Sequence, residues 1–581
     1  MEKISFVELK KNAKKDMKNL KKYKIAILGN CSTQHLSTAL KGYGYKEGYN
    51  LDIFDADYNQ IDAQVMDDNS ELYNHAPNSV LIYMSTEKLF ENFCQLELQN
   101  RNNFAENILN QIETYWNTIN SKLKTNIMQF NFVEIDDKIF GNYSNKVSNS
   151  FIYQIRKLNY LLMELVEKTK NAFLIDLSSI QNLYGRKELH DEKLYYIAKM
   201  PISTNLLPEV AKQVVDIIKA LNGKIKKCVV LDLDNTLWGG VIGDDGLKSI
   251  QIGELGLGHA FSEFQMWLKE LKNRGIILTV CSKNNEDIAK EPFEKHPEMV
   301  LRLEDISMFV ANWQDKASNI KHIQETINIG MDSLVFIDDN PFERNLVKEL
   351  IPDITVPDLP EDPAMYLSYL KSLNLFETAS YSENDKDRTK QYQAEVGRAT
   401  MQNSFEDFND YLKSLQMVAT AHEFNEFEIP RISQLTQRSN QFNLRTIRYT
   451  EAEIEEILKN DKYLTLSFSL KDKFGDYGLI SVVIMEKKDK ETLFLDTWLM
   501  SCRVLKRGME EFIINTIIET AKKKGFKKVV GEYIKTPKNA MVEKIYSNLG
   551  FKEVKKDLFE AEVDNFSFNK TNIKLDENNI K

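Results

Sequence analysis

The sequence predicts a multidomain α/β protein. Its 581 residues exceed what one hydrophobic core serves, so roughly three or four domains are expected. Residues 23–222 alternate apolar strands with helical segments, which is typical of a doubly wound parallel sheet. A second α/β pattern occupies the middle of the chain. After residue 406 several strands follow one another before the next long helix, which indicates an α+β domain.

The first predicted domain spans residues 1–222. Residues 1–22 are Lys-rich and are predicted to form a basic helix. Long helical segments, Glu87–Lys122 and Ser150–Lys170, separate the later strands. The five predicted strands are Lys24–Leu28, Leu51–Phe54, Val80–Met84, Ile127–Val133 and Phe173–Asp176.

The first strand ends in a loop of small residues that leads into a helix. This loop resembles the nucleophile loop of SGNH-type hydrolases, with Cys31, or else Ser32, at the nucleophile position. A thiolate at a helix N-terminus is expected to have a lowered pKa and to accept an acyl group. The Asp-x-x-His pair of such hydrolases is missing, because Leu194 stands three residues after Asp191 and His190 is out of register. We therefore expect Cys31 to hold an acyl group, and the alternative is a small packed thiol.

The second domain, residues 223–375, carries acidic residues at the ends of two predicted strands. The strand Cys228–Leu231 ends in Asp232 and Asp234, with Thr236 close behind. Two carboxylates at the carboxyl end of a buried strand predict a bound cation. Three further polar positions follow in order along the chain: Ser282 at a strand end, Lys316 at a helix start and Asp338 at another strand end.

This arrangement resembles the haloacid-dehalogenase (HAD) superfamily, whose first motif is D-x-D-x-T. The resemblance implies that Asp232 is a nucleophile that forms an aspartyl-phosphate and that Asp234 is the general acid and base. Thr236, Ser282 and Lys316 would hold phosphoryl oxygens, and Lys316 would also act in catalysis. The implied Mg²⁺ ligands are Asp232, Asp234 and Asp338, with Asp339 as a neighbour.

The intervals between these motifs are too short for a folded cap domain. Only a glycine-rich loop, Trp238–Gly258, and one helix, His259–Arg274, fit between Asp232 and Ser282. The glycines suggest a tight hairpin flap over an open site. Trp238 either walls the substrate pocket or packs in the core.

Two polar residues just past the strand ends complete the candidate substrate contacts. Asn284 is predicted to touch the substrate. Arg344 either touches the substrate or makes an ordinary surface ion pair.

Two stretches of this domain, Asp232–Gly246 and Phe336–Arg344, resemble the FkbH-like branch of the HAD superfamily. The family resemblance implies capture of a glyceryl unit from 1,3-bisphosphoglycerate. It also implies removal of the phosphate and delivery of the glyceryl group, as a thioester, to an acyl carrier protein. An amino sugar in surface-glycan synthesis is an equally open acceptor.

The last part of the chain is a predicted linker, residues 376–405, a domain, residues 406–570, and a frayed tail, residues 571–581. A polar helix and turn, Arg431–Arg445, open the domain. The expected strands and helices of the domain are Tyr463–Leu470, Leu479–Glu486, Thr492–Met500, the helix Glu511–Lys524 and a last helix within Asn539–Phe551. The loop Asp472–Tyr477 is either a binding loop or an ordinary hairpin.

The basic loop before the helix Glu511–Lys524 resembles the coenzyme A pyrophosphate loop of GNAT acetyltransferases. The resemblance implies binding of pantetheine or coenzyme A by Arg503, Lys506, Arg507 and Gly508. The alternative is a remnant of that fold that only docks partners.

Composition excludes several other classes. A formal net charge of -10 argues against nucleic acid as the main ligand. The five cysteines show no paired spacing, so neither a disulfide framework nor a zinc site is expected. No apolar run of membrane-spanning length and no signal peptide is evident, so a cytoplasmic protein is expected.

The sequence leaves three alternative functions. An acyl-capture enzyme gives each of the three domains a role. A plain Mg²⁺-dependent phosphatase acting on a small phosphorylated metabolite leaves the flanking domains as binding modules. A non-enzymatic scaffold is disfavoured, because the set Asp232, Asp234, Ser282, Lys316 and Asp338 is complete.

Overall fold

The computed structural model describes residues 4–381, 388–402 and 405–576. The chain divides into two compact units, residues 2–218 and residues 219–581. Both are mixed α/β structures. Within the described residues, none of the helices is long and apolar enough to cross a membrane.

The first unit is built on a five-stranded parallel sheet with the order β2-β1-β3-β4-β5. All five predicted strands are present. They are β1 Lys21–Gly29, β2 Tyr49–Asp55, β3 Ser79–Tyr83, β4 Asn126–Phe130 and β5 Ala172–Ile175. The helices are α1 Phe6–Asn12, α2 Gln34–Lys46, α3 Ile61–Met66, α4 Glu71–His75, α5 Thr86–Gln95, α6 Phe104–Lys122, α7 Phe151–Lys168, α8 Leu177–Tyr184, α9 Arg186–Leu189, α10 Glu192–Ala198 and α11 Leu207–Leu221.

Two predicted helices of this unit are wrong in extent. The basic helix predicted for residues 1–22 ends at Asn12, because β1 already begins at Lys21 and only Leu9 of α1 is buried. The helix predicted over Glu87–Lys122 is two helices, α5 and α6. The polar segment between them, residues 96–103, turns the chain, and the Phe93 and Phe104 rings meet with centroids 5.2 Å apart.

The second unit contains a four-stranded parallel sheet with the order β8-β7-β6-β9. Its strands are β6 Cys228–Leu231, β7 Ile277–Ser282, β8 Met308–Ala311 and β9 Leu334–Ile337. The helices of this part are α12 Ile242–Asp245, α13 Gly256–Asn273, α14 Glu286–Lys295, α15 Lys316–Ile327, α16 Pro341–Leu350 and α17 Tyr366–Leu373. Only α12 and α13 lie between β6 and β7, and only α14 lies between β7 and β8. Neither interval holds a cap domain, as the sequence predicted.

A nine-stranded sheet follows in the same unit, with the order β16-β17-β15-β14-β13-β12-β10-β18 and with β11 paired to β14. Most neighbours are antiparallel, and the pairs β14–β15 and β10–β18 are parallel. Its strands are β10 Val418–His422, β11 Phe442–Asn443, β12 Tyr463–Asp472, β13 Gly475–Lys487, β14 Thr492–Met500, β15 Lys528–Glu532, β16 Lys552–Lys555, β17 Leu558–Glu562 and β18 Lys574–Leu575. The helices are α18 Arg388–Gln402, α19 Phe408–Ser414, α20 Ile429–Arg438, α21 Glu451–Leu458, α22 Met509–Lys523 and α23 Ile545–Asn548.

The predictions for this region are partly wrong. The last helix is short, since only Ile545–Asn548 is α-helical within Asn539–Phe551. The predicted frayed tail instead adds β18, which pairs with Val418 and Ala419 of β10. Residues 577–581 of that tail, and residues 382–387 and 403–404 of the predicted linker, lie outside the described residues.

A buried ion pair fastens α18 to the hairpin between β12 and β13. Nε and Nη2 of Arg398 donate to the two carboxylate oxygens of Asp472 at 2.8 and 2.7 Å. Both side chains are almost fully buried. The loop Asp472–Tyr477 is therefore a hairpin turn whose first residue anchors the helix of the predicted linker.

Replacing this carboxylate by its isosteric amide, Asp472→Asn, should lower the free energy of unfolding by about 3 kcal/mol. The substitution removes one carboxylate from the buried Arg398 guanidinium and leaves Glu395, which Arg507 also pairs with, as the remaining counter-charge of both arginines. The measurement is urea unfolding followed by tryptophan fluorescence, because Trp498 lies in the same core.

The matched control is Asp476→Asn in the same hairpin. Asp476 pairs with Lys471 at 3.3 Å, and both side chains are more than half exposed. Its loss should cost less than about 1 kcal/mol. Equal losses in the two variants would contradict the anchoring role of Asp472.

Candidate active site

The predicted acidic residues meet at the carboxyl edge of the four-stranded sheet. β6 and β9 are neighbours, in register from Cys228–Leu334 to Leu231–Ile337. The residues that follow them, Asp232 and Asp338, therefore emerge side by side, and the Asp232 N–H donates to the Ile337 carbonyl at 3.0 Å. Ser282 ends β7, the neighbour of β6 on the other side, and is buried.

Lys316 stands between the two aspartates. It is the first residue of α15, whose N-cap, Asp315, accepts a hydrogen bond from Ser318 N at 2.8 Å. The Lys316 Nζ lies 3.0 Å from Asp232 Oδ2 and 2.5 Å from Asp338 Oδ2. Burial lowers the pKa of Lys316, but the two carboxylates outweigh it and raise that pKa above its ordinary value. The lysine is thus a fixed positive charge at this edge.

One lysine does not neutralise the carboxylates gathered here. Oxygen atoms of Asp232, Asp338 and Asp339 lie within 4.8 Å of one another. Burial, and then the charge of Asp232, raise the pKa of Asp338 to about 7. The same two causes, in the same order, raise the pKa of Asp339. Three crowded carboxylate oxygens are the hard ligands that Mg²⁺ prefers, so the residues present fit that ion.

The side chain of Asp234 lies outside this group of three and faces the flap. Its Oδ1 accepts hydrogen bonds from Trp238 Nε1 at 3.0 Å and from Ile242 N at 2.9 Å. Its Oδ2 accepts from Asn284 Nδ2 at 3.1 Å. Burial raises the pKa of Asp234, while the bonds from Ile242 and Trp238 lower it. A carboxyl held on both oxygens, with a raised pKa, is suited to carrying a proton.

Trp238 shapes the site from within the core. Its ring is fully buried and packs edge-on against Phe293, with centroids 5.9 Å apart. Of the two alternatives left by the sequence, the structure favours core packing. The flap itself is pinned by backbone bonds in both directions between Gly239 and Gln251.

Thr236 and Arg344 both act on the loop that carries the second acidic pair. Thr236 Oγ1 donates to Asp339 Oδ1 at 3.2 Å and accepts from the Asp339 N–H at 3.1 Å. Arg344 Nη1 donates to the carbonyl oxygens of Asp338 and Asp339 at 2.8 and 2.6 Å. Sequence reasoning missed these roles for Arg344 and Asp339, because contacts to backbone carbonyls leave no pattern in the sequence.

Cys31 lies in the first unit, after β1, and is buried. Its pKa is raised well above the ordinary value by burial, then by the charges of Glu87 and Asp55. The predicted lowering of this pKa is therefore wrong. α2 begins only at Gln34, with Thr33 as the residue before it, and Thr33 Oγ1 donates to Asp55.

His190, the imidazole out of register in the sequence, contacts Glu87, one of the two acidic residues whose charge raises the pKa of Cys31. Its Nδ1 lies 2.9 Å from the Pro201 carbonyl oxygen and 3.3 Å from Glu87 Oε1. Glu87 also pairs with Arg186 at 3.0 Å.

The basic loop before α22 is tied into the protein interior. Arg507 donates to Glu395 Oε2 at 2.7 Å and to the Tyr477 hydroxyl, and Arg503 donates to Gln391 Oε1. The other two predicted residues are placed differently. Lys506 is exposed, and Gly508, with φ of 86°, precedes the first residue of α22. Pantetheine binding by these four residues stays a prediction.

The fold and the carboxylate–lysine cluster define a phosphatase-like α/β protein, and comparison with known proteins agrees. The family model for the FkbH N-terminal domain matches residues 24–219. A solved structure, the N-terminal part of the protein BF1531 from Bacteroides fragilis, is 49% identical and has a TM-score of 0.63. The match covers 65% of this chain and 100% of that one, which is described as containing a phosphatase domain complexed with Mg. The chain belongs to the FkbH-like family.

Two weaker matches concern about a quarter of the chain. The ribosomal-protein-S18-alanine N-acetyltransferase from Escherichia coli is 15% identical, with a TM-score of 0.21, over 26% of this chain and 100% of that one. A GNAT family acetyltransferase from Elizabethkingia anophelis with acetyl-CoA bound is 16% identical, with a TM-score of 0.19, over 25% of this chain and 97% of that one. At these values neither match supports a conclusion about activity. A comparison with curated protein sequences gave no match.

Trp238→Phe should keep the core packed and remove one of the two N–H groups that hold Asp234 Oδ1. Because a hydrogen bond to a charged group contributes about 1.5–3 kcal/mol, we expect kcat for p-nitrophenyl phosphate to fall roughly tenfold or more. The measurement is steady-state hydrolysis with Mg²⁺ present.

The matched control is Trp267→Phe. Trp267 packs against the same core, beside Phe264 and Phe376. Its replacement should leave kcat within about twofold of wild type. An unchanged kcat in Trp238→Phe would show that this hydrogen bond does not position Asp234.

Proposed function

We propose that the chain is an FkbH-type enzyme that takes a phosphoglyceryl group from 1,3-bisphosphoglycerate in the cytoplasm. It would remove the phosphate through an aspartyl-phosphate and transfer the glyceryl group, as a thioester, to an acyl carrier protein or another acceptor. The observation that carries the phosphatase half is the Lys316 contact with Asp232 and Asp338, beside Asp234. The solved relative whose phosphatase domain holds Mg supports the same half.

In the proposed dephosphorylation Asp232 is the nucleophile. Its carboxylate attacks the phosphorus, the bond from phosphorus to the leaving oxygen breaks, and the proton carried by Asp234 passes to that oxygen. A water then attacks the same phosphorus, gives its proton to Asp234 and releases inorganic phosphate, which restores both aspartates. Lys316 supplies positive charge to the phosphoryl oxygens in both steps.

A bound Mg²⁺ would add positive charge at the transferring phosphoryl group. The residues proposed to hold it are Asp232, Asp338 and Asp339. Asp339 replaces the side chain of Asp234 in this role, because Asp234 is bonded to the flap and to Asn284. Thr236, Ser282 and Asn284 are the proposed neighbours of the substrate phosphate.

The acyl transfer needs a thiol. In the proposal the sulfur of Cys31, or of a carrier's pantetheine, attacks the acyl carbon of 1,3-bisphosphoglycerate. The bond from that carbon to the phosphate oxygen breaks, phosphate leaves, and the thioester keeps its second phosphate for the Asp232 site. Because the pKa of Cys31 is raised, this residue is a thiol at neutral pH and must lose its proton to a base during attack.

The raised pKa of Cys31 also supports a second candidate function, that of a plain Mg²⁺-dependent phosphatase. Such an enzyme would act on a small phosphorylated metabolite. Cys31 would be a packed thiol, and the flanking regions would only bind partners.

The metal assignment is tested by calorimetric Mg²⁺ titration of two variants. Asp339→Asn should weaken Mg²⁺ binding about tenfold or more, because it removes a charged ligand. Asp234→Asn should leave the Mg²⁺ affinity near that of wild type and lower kcat. Asp353→Asn, at an exposed carboxylate away from the cluster, is the control and should change neither. The reverse pattern for the first two variants would overturn the assignment.

The acyl step is tested by intact-protein mass spectrometry after incubation with Mg²⁺ and enzymatically generated 1,3-bisphosphoglycerate. Wild type should gain a hydroxylamine-labile glyceryl adduct. Asp232→Asn should instead retain an adduct heavier by one phosphate, since the second step is blocked.

The adduct should be absent from Cys31→Ala and present in Cys94→Ala, which removes an exposed cysteine. Phosphate release without an adduct in any variant would contradict the Cys31 step and favour the plain phosphatase.

A further inference from the structure

A basic cavity lies in the second unit, away from Asp232, Asp338 and Asp339. It has a volume of about 190 Å³ and opens between the four-stranded sheet and the nine-stranded sheet. Its wall carries six basic side chains, Lys227, Arg388, Arg431, Arg438, Arg503 and Lys538. Among the described residues of that wall, Asp332 is the single carboxylate.

The cavity is separate from the candidate active site. Lys227 precedes β6, and Asp332 precedes β9, so the cavity touches the amino edge of the four-stranded sheet. Asp232 and Asp338 follow the same strands and lie at the opposite, carboxyl edge. At about 3.3 Å per residue, the five steps from Lys227 to Asp232 span roughly 16 Å. A ligand in the cavity would therefore not touch the reacting carboxylate.

Two cations of the wall, the half-buried Lys227 and the buried Arg503, have neutral hydrogen-bond partners. Lys227 Nζ donates to the Arg438 carbonyl oxygen at 2.9 Å. Arg503 is buried and donates to the amide oxygen of Gln391, to the Tyr477 carbonyl at 3.4 Å and to Ser501 Oγ at 3.5 Å.

The carboxylate of the wall is already engaged. Asp332 forms an ion pair with Lys538.

Burial, followed by the repulsion of Arg388 and Arg438, lowers the pKa of Lys227 to about 8. An ammonium whose pKa is lowered by its surroundings holds its proton more firmly when an anion enters.

We propose that this cavity binds the phosphate oxyanion of a small phosphorylated ligand, held by Lys227 and Arg503. A phosphate is favoured over a carboxylate because its additional oxygens can accept from several donors at once. Ser439, Asn440 and Ser501 on the same wall supply further polar groups. A phosphate or pyrophosphate fits within the cavity volume. The site goes beyond the proposed function and does not depend on it.

The test is calorimetric titration of the full chain with pyrophosphate in the absence of divalent metal. Without metal, the aspartate cluster has three carboxylates against one lysine and repels an anion, so binding there is suppressed. Pyrophosphate should bind wild type, and Lys227→Met and Arg503→Met should each weaken binding about tenfold or more. Lys321→Met, at an exposed position of α15, is the control and should bind as wild type does.

Three results would overturn the site: no pyrophosphate binding to wild type, affinity equal to that of wild type in both Lys227→Met and Arg503→Met, or loss of Mg²⁺-dependent p-nitrophenyl phosphate hydrolysis in step with binding. Lys538→Met guards against misfolding of the Lys227 and Arg503 variants, because the Lys538 side chain is partly exposed. It removes the ion-pair partner of Asp332 at the cavity and should also weaken binding. Unchanged affinity in Lys538→Met would count against the proposal.

The source of the phosphate is resolved by a second titration, with coenzyme A. Affinity for coenzyme A well above that for pyrophosphate would assign the cavity to the phosphate end of a pantetheine carrier. Equal or weaker affinity would assign it to a free small phosphorylated molecule.

The difference in proton uptake between wild type and Lys227→Met gives a readout for Lys227, because proton exchange by pyrophosphate itself contributes in both proteins. The groups that face it are Arg388, Arg438, Asp332 and Cys502, and burial raises the pKa of Cys502 above its ordinary value. At pH 8 an entering anion should therefore draw a proton onto Lys227, seen as a binding enthalpy that varies with the buffer. Wild type should take up more protons than Lys227→Met does. Equal uptake in the two proteins would exclude Lys227 as the contact.

Discussion

The crowding of carboxylates at one sheet edge is the constraint on which the phosphatase-like region depends. Parallel pairing of β6 with β9 forces Asp232 and Asp338 together, and the loop after β9 adds Asp339. Like charges at this spacing are tolerated only with cations between them. Lys316, delivered by the first turn of α15, is one such cation, and a divalent ion would be the other. Substrate phosphate would enter a place where positive charge is already organised.

A second layer of contacts keeps this edge in position. Arg344 binds the backbone of the Asp338–Asp339 loop, and Thr236, in the turn after β6, binds Asp339. Trp238 connects the hydrophobic core to Asp234 through one hydrogen bond. As a result, Asp338 and Asp339 turn toward the proposed cation, whereas Asp234 turns toward the flap. This separation keeps the Asp234 side chain apart from the oxygens proposed to hold the cation.

The sequence predicted the strands of both parallel sheets because apolar runs with polar ends are local signals. It also placed Lys316 at a helix start, where Asp315 is a readable N-cap. Prediction from the sequence failed where tertiary contacts determine the structure or the pKa. The turn between α5 and α6 follows from Phe93 meeting Phe104, and the raised pKa of Cys31 follows from burial beside Glu87 and Asp55. Asp339 and Arg344 act through geometry that no spacing rule expresses. The roles of Cys31 and of the Arg503–Gly508 loop stay predictions.

The two-residue strand β18 has a consequence for the nine-stranded sheet. It covers the outer edge of β10 with parallel hydrogen bonds near Val418 and Ala419. An uncovered strand edge is a template on which another chain can pair. A chain shortened before Lys574 would present that edge to its neighbours in solution. The few residues that pair there therefore help to keep the protein from aggregating at high concentration. They lie far along the chain from every residue proposed to touch phosphate.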